Sequence, residues 1–217
     1  MNLLRAPGQL LGVGLAGALL LGTCACADRA GSASGSSAPQ GGSPATAPPT
    51  PVASGPVTAV TTVLQEGDGP PELCLGGVAE SFPPQCGGPE IAGWDWDAVD
   101  ADSAQGTTWG EYTVEGTWDG EIFHLTEATA PTDPPALPHD PRLDPDNAGA
   151  VGDDTSEPEA QKLQDEVYGD LGGLGGWIEN GYVWATVIYD DGSIQRYADG
   201  KYGADTVAVQ SALQDVE

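Results

Sequence analysis

The chain has 217 residues, with 33 Asp and Glu against 6 Lys and Arg, for a formal net charge of −27. Such a balance excludes an electrostatic grip on nucleic acid or on an anionic lipid surface, since both are repelled. With 32 glycines and 19 prolines, much of the chain cannot pack as regular elements, which leaves room for one or two small cores.

Residues 1–23 read as an export signal: Arg5 supplies a thin positive start, and Leu10 to Leu21 is an apolar run of the right length. L-G-T-C at Leu21 to Cys24 resembles the lipobox of bacterial lipoproteins, which marks Cys24 for acylation. Thr23 departs from the small residue usual before that cysteine, and Ala25 before Cys26 fits that position better, so Cys26 is the alternative. An uncleaved span over Leu10 to Ala27 and a secretory peptide cut without lipidation are the other two readings. All of them put the bulk of the chain on the extracytoplasmic face of the cell membrane. Residues 24–56 (C-A-C-A-D-R-A-G-S-A-S-G-S-S-A-P-Q and onward) have too few apolar side chains to repay ordering and are expected to form a flexible, lipidated tether. About 30 such residues span roughly 30 Å, enough to hold a domain off the headgroups. All 33 acidic residues and five of the six basic ones follow Cys24, so the processed chain carries 5 − 33 = −28. That charge suits a basic partner, and it equally suits solubility outside the cell or adaptation to salt.

Residues 57–127 are expected to form a β-rich domain. Val57 to Glu66 is dense in β-branched residues and reads as a strand, ended by the turn Gly67-Asp68-Gly69-Pro70-Pro71. Glu72 to Val78 resumes an extended pattern. Cys74 and Cys86, the cysteines beyond the lipobox, bracket a Pro-Pro turn and are expected to be joined in an exported protein. Closing that loop contributes about 3 kcal/mol by the chain-entropy account. C-x11-C without nearby histidines is a poor metal or redox site, and no metal or other cofactor is expected. G-W-D-W-D at Gly93 to Asp97 would set Trp94 and Trp96 on one side of an extended segment and Asp95 and Asp97 on the other. The four are candidate ligand-binding residues, with the indoles as a platform for a sugar or peptide if exposed and as core if buried. Asp95 to Gly106 fails the EF-hand pattern, having Asp100 where Gly is required and Gly106 where Glu is. Trp109 to Trp118 alternates as a half-buried strand, and Asp119-Gly120 is a type I′ hairpin signal. That turn would set Trp118 opposite Glu121, Gly116 opposite Phe123, Val114 opposite Leu125, and Glu115 opposite His124 as a solvent-side pair. No G-x-S-x-G or similar nucleophile motif accompanies His124, and no catalytic residue can be named.

The combination of C-L-G-G-V-A-E-S-F-P-P-Q-C, G-W-D-W-D and W-G-E-Y-T-V-E-G-T-W-D-G resembles a group of uncharacterised secreted or lipid-anchored proteins of high-GC Gram-positive bacteria, over residues 57–127. The resemblance implies the address and the domain, and it brings no activity.

Residues 128–155 are proline- and aspartate-rich, contain His139, and read as an extended linker. Residues 156–217 read as a small α/β unit. Ser156 is its N-cap, with Glu159 three positions on and Pro158 in the first turn; Leu163, Val167 and Leu171 form the apolar stripe, and glycines 172, 173, 175 and 176 stop the helix. Tyr182 to Tyr189 reads as a buried strand and Asp190-Asp191-Gly192 as a turn. Ser193 to Lys201 reads as a helix capped by Gly203, and Asp205 to Leu213 as a strand reached by crossover. The fold class is therefore α+β: a disulfide-stapled β-barrel or sandwich, with an OB-like barrel among the candidates, followed by the α/β unit. The expected role is binding or structural at the cell envelope, with the membrane reached through the lipid anchor, an envelope protein or glycan as partner, and no nucleic acid. The alternative is an envelope hydrolase using acidic residues near Trp94 and Trp96.

Overall fold

The structure, a computed structural model, describes residues 47–134, 139–152 and 154–216. Cys24, Cys26, the expected signal and most of the expected tether lie outside the described residues.

The first half of the chain is a barrel-like sheet made of β1 (Val57–Glu66), β2 (Glu72–Cys74), β3 (Ile91–Ala92), β4 (Asp102–Ala104), β5 (Thr107–Trp118) and β6 (Phe123–Thr129). β1 runs antiparallel to β5 over its whole length and to β2 over Thr62–Leu64, while β6 pairs antiparallel with β5 and parallel with β3. The ring nearly closes between β2 and β3, where Leu73 N donates to Pro89 O (2.9 Å) and Ile91 N to Pro71 O (2.9 Å). That approach is close enough that a Cβ on Gly88 would meet Leu73 O at 1.7 Å, so only glycine fits there. Period-two alternation turns Val57, Ala59, Val63 and Leu73 inward to meet Val114, Trp118, Ile91 and Phe123. Cys74 faces out of the barrel, and its Cα lies 5.5 Å from that of Cys86, the separation of a disulfide pair.

The strand β1 matches its expected bounds, but the β5–β6 register does not. Trp118 pairs with Phe123, Thr117 with His124 and Gly116 with Leu125; a bulge at Glu115/Gly116 then sets Glu115 opposite Glu127. The connection therefore has four residues, 119–122, and Glu115 does not meet His124. The cause is the Asp119 carboxylate, whose Oδ1 accepts from the N–H groups of Glu121 (2.9 Å) and Ile122 (2.7 Å). A side chain that bonds its own turn competes with the two-residue geometry. Gly120 does have positive φ (98°), whereas Asp119 does not; the turns with both central residues at positive φ are Gln105-Gly106 (53° and 86°), between β4 and β5, and Asn180-Gly181 (46° and 75°).

The second half begins earlier than composition suggests. Within residues 128–155, β6 runs to Thr129, and Pro141–Leu143 and Pro145–Asn147 are short 3-10 turns. Gly149 N bonds Asn180 O (2.8 Å), Ala150 N bonds Asp205 O (2.7 Å) and Val151 N bonds Gly181 O (2.9 Å), so the segment is fastened and not merely extended. The helix α1 (Glu157–Leu171) opens on the expected capping box, with Ser156 N and Oγ both donating to the Glu159 carboxylate. These bonds hold the Glu159 carboxyl below its ordinary range. Gly172, in the left-handed region (φ 63°), closes the helix. A strand not expected from sequence, β7 (Gly175–Glu179), pairs through the Asn180-Gly181 turn with β8 (Tyr182–Val187). From β8 the chain crosses through α2 (Ser193–Tyr202) to β9 (Val207–Ser211), which runs parallel to β8 as expected. The Asp190 carboxylate starts α2 by accepting from the N–H groups of Gly192 (2.9 Å) and Ile194 (2.8 Å). Val167 and Leu171 of α1 and Ile194 and Ala198 of α2 cover one face of β8 and β9.

The carboxy-terminal residues also complete the barrel. The strand β10 (Gln214–Asp215) pairs antiparallel with Val57 and Thr58, and Leu213 and Tyr189 lie in the barrel core. At the other end of the described chain, the last residues of the expected tether pack on the fold: Pro51 is buried, and Ala53 N donates to Trp118 O (3.0 Å).

Candidate functional site

Gly93, at φ 86°, turns the chain out of β3, and Trp96–Ala98 then forms a 3-10 turn, not an extended segment. Its cap is the Asp95 carboxylate, which accepts from Asp97 N (3.0 Å). Trp94 and Trp96 consequently both pack against the barrel core, edge to face on each other with centroids 5.2 Å apart. Tyr112 lies under them, 4.9 Å from Trp94 and 6.5 Å from Trp96. Trp96 Nε1 donates to Gln65 Oε1, while Trp94 Nε1 is buried without a partner. The rings thus form a half-buried plug and not a flat platform, and Asp95, Asp97, Asp100 and Asp102 point to solvent. Tyr112 donates its hydroxyl to Asp100 O. Burial raises its phenol pKa, and the nearby charges of Asp100 and Asp102 add to the effect.

Beside the plug lies an open cleft of about 350 Å³, walled by Val99 and Asp100, by Glu111 and Tyr112, and by Ala128 to Pro131. Its polar side chains are the carboxylates of Asp100 and Glu111, the Tyr112 phenol and the Thr129 hydroxyl. Acid–base hydrolysis needs two groups driven to opposite protonation states, by burial of one carboxyl or by a like charge held close to it. The acids around the plug are instead exposed. Among the described residues, no group of three or more His, Cys, Asp and Glu side chains is arranged to hold a metal ion.

His124, expected opposite Glu115, instead places Nε2 2.7 Å from Asp119 Oδ2. The Asp119 carboxyl is lowered to about 2, first by the Ile122 N–H, then by His124 and the Glu121 N–H. Its folded value lies below the ordinary 3.8, so the stability that it contributes is present above pH 4 and is lost as pH falls towards about 2. The side-chain carbon resonance of Asp119 should titrate near 2 and be unmoved by Glu115→Ala; a midpoint near 4 would mean that the turn is open in solution. His139 meets Asp144 at 2.9 Å on the surface.

Two further aromatic features lie outside the expected site. The disulfide loop carries Phe82, 76% exposed, against Trp109 with centroids 5.7 Å apart. In the second sheet, Trp184 stacks on Trp177 (5.6 Å, interplanar angle 2°) and lies under the Arg142 guanidinium (5.3 Å). The exposed phenylalanine stands two residues from Glu80 in a Pro-Pro loop, and no periodicity marks it. The tryptophan pair could have been found from Asn180-Gly181, a strong hairpin signal that sets Trp177 opposite Trp184.

No family model matches the chain, and neither the curated proteins nor the solved structures hold a match to it.

Proposed function

We propose that this chain is an exported, lipid-anchored protein with a binding role at the extracytoplasmic face of the cell membrane, tethered through Cys24, or through Cys26 if processing falls there. The observation that carries the reading is the surface of the barrel: residues 57–129 contain fourteen Asp and Glu and no Lys or Arg, and the acids beside the aromatic plug, including Asp100 and Glu111 on the wall of its open cleft, are exposed to water. Fixed charge displayed on a rigid scaffold serves recognition, and it makes a poor hydrolytic centre. The OB-like reading draws support from the ring order β1-β2-β3-β6-β5 and its one parallel contact, between β3 and β6. Barrels of that type bind ligands on their outer strands and loops. The likeness to secreted and lipid-anchored proteins of high-GC Gram-positive bacteria agrees with this address. No helix among the described residues is long and apolar enough to cross a membrane.

Two measurements test the reading. Cys24→Ala should release the protein from the membrane fraction or stall its processing, and an unmodified amino terminus beyond residue 26 in the mature protein would refute the anchor. The purified mature chain applied to peptide and glycan arrays should select a ligand class. Hydrolysis of an envelope polymer, lost in Asp95→Asn or Asp97→Asn, would replace binding by catalysis.

A further inference from the structure

Trp109 stands on the outer face of β5. Directly opposite it on β4 is Asp102, and two residues along the same face is Glu111. Opposed residues of an antiparallel pair hold their Cβ atoms about 5 Å apart on one face, so the indole is flanked by two carboxylates, both exposed. Phe82 meets this indole edge to face, and its carbonyl accepts from Gln105 Nε2 (3.1 Å), which pins the disulfide loop to the β4–β5 turn. Val78, 40% exposed, lies on the same loop. The loop thus holds a large apolar side chain in water, while the staple and the glutamine bond keep it from folding away. An exposed apolar patch that is rimmed with charge and rigidly supported is the pattern of a docking surface.

Resting on the binding reading above, we propose that the Phe82–Trp109 shelf docks a cationic polypeptide segment, with an Arg or Lys side chain laid on the aromatic pair and its charge met by Asp102 and Glu111. Aromatic rings attract cations through their quadrupole, and Arg also stacks on them. The shelf repels anionic polymers, and no cation of the barrel competes for it, since residues 57–129 have neither Lys nor Arg. A second copy of this chain is a poor occupant. It carries the same strongly negative net charge, −27 over the full chain, and two of its few cations, Arg142 and Lys201, are held by Asp140 and Asp170.

The test uses the whole mature chain and a fluorescent Arg-Gly repeat peptide, with a Glu-Gly repeat and a Ser-Gly repeat for comparison, read by anisotropy. The Arg-Gly peptide should bind at low salt and weaken as salt rises, and the other two should not bind. Phe82→Ala should raise its Kd about two- to fivefold, the fold-change that corresponds to about 0.5–1 kcal/mol for a cation on an exposed ring. Because the side chain is 76% exposed, the melting temperature should hold. Glu111→Gln should weaken binding more than Glu127→Gln, which removes the same charge from the same outer face but away from the shelf. If the two charge variants weaken binding equally and Phe82→Ala does nothing, the attraction is that of a general polyanion and the shelf is refuted, while the binding reading stands. If the Arg-Gly peptide fails to bind and the arrays select a glycan or a neutral peptide, the cationic partner is refuted and the binding reading again survives. Failure on every array would overturn both.

Discussion

Trp184→Ala is expected to destabilise the protein by about 3–5 kcal/mol, the range for removing a fully buried large aromatic side chain. Trp184 has no solvent exposure and sits on the central strand of the second sheet, hydrogen-bonded to β7 on one side and β9 on the other. One face of that sheet is covered by α1 and α2. Trp184 lies on the other, with Tyr182 and Ala208, away from α1 and α2. Cover comes instead from the stacked Trp177 ring and from Arg142. Arg142 is in turn fixed by Asp140, whose carboxyl it holds low, and by Gln195, 2.7 Å from Nη1. Removing the indole would empty the middle of this stack and remove the hydrogen bond that its Nε1 donates to Glu179 O at 3.1 Å. Trp177→Ala removes a ring that is 40% exposed and should cost much less, under about 2 kcal/mol, since only the stacked half of its surface is lost. Urea unfolding of the two variants measures both terms. Equal losses would mean that the stack, and not burial, sets the stability of this sheet.

How much of this was legible depended on how local the cause was. The strand β1, the helices α1 and α2 and the buried strand β8 announced themselves through short-range chemistry: a β-branched run, the Ser156 and Glu159 capping box, glycines 172 and 203, and an apolar run too short for a helix. The β5–β6 register failed because one side chain, Asp119, satisfied two turn amides itself and lengthened the loop, and because the bulge at Glu115/Gly116 carries no composition signal. The strand β7 reads in sequence as a helix stop because its first two residues are Gly175 and Gly176, which weaken strand propensity. The pairing of β10 with Val57 and Thr58 joins residues more than 150 apart, and nothing within either segment encodes its partner. Among the candidate site residues, the pairing of Trp94 with Trp96 was legible and its geometry was not. A period-two reading assumes an extended chain, and Asp95 caps a 3-10 turn there. Phe82 was invisible for the opposite reason: its importance lies in being left outside, where no core pattern can register it.

Breaking the Cys74–Cys86 pair should cost about 2–4 kcal/mol and should open the barrel at one seam first. The seam is β2 against residues 86–91. Only two main-chain hydrogen bonds join Leu73 and Ile91 to the opposing carbonyls of Pro89 and Pro71, whereas β1 and β5 pair over ten positions. β2 itself has three residues, too few to stay bonded by length alone. Besides the disulfide, its ladder with β1 over Thr62–Leu64 holds one edge, Leu73 is buried in the core, and Thr61 Oγ1 donates to Cys74 O at 2.7 Å. Without the covalent link the unfolded chain regains the freedom of the loop between the cysteines, and the native seam is left to these anchors. In the doubly substituted Cys74→Ser, Cys86→Ser protein, the guanidinium midpoint should fall. The amides of Leu73 and Ile91 should exchange with solvent much faster, while those of β1 and β5 keep most of their protection. The Phe82 loop should lose its fixed place beside Trp109, so binding of the Arg-Gly peptide should weaken even where the barrel stays folded. Native protein whose two cysteines are alkylated without prior reduction would show that no such link exists. A variant as stable as the parent would show that the β1 ladder, Leu73 and Thr61 hold the seam on their own.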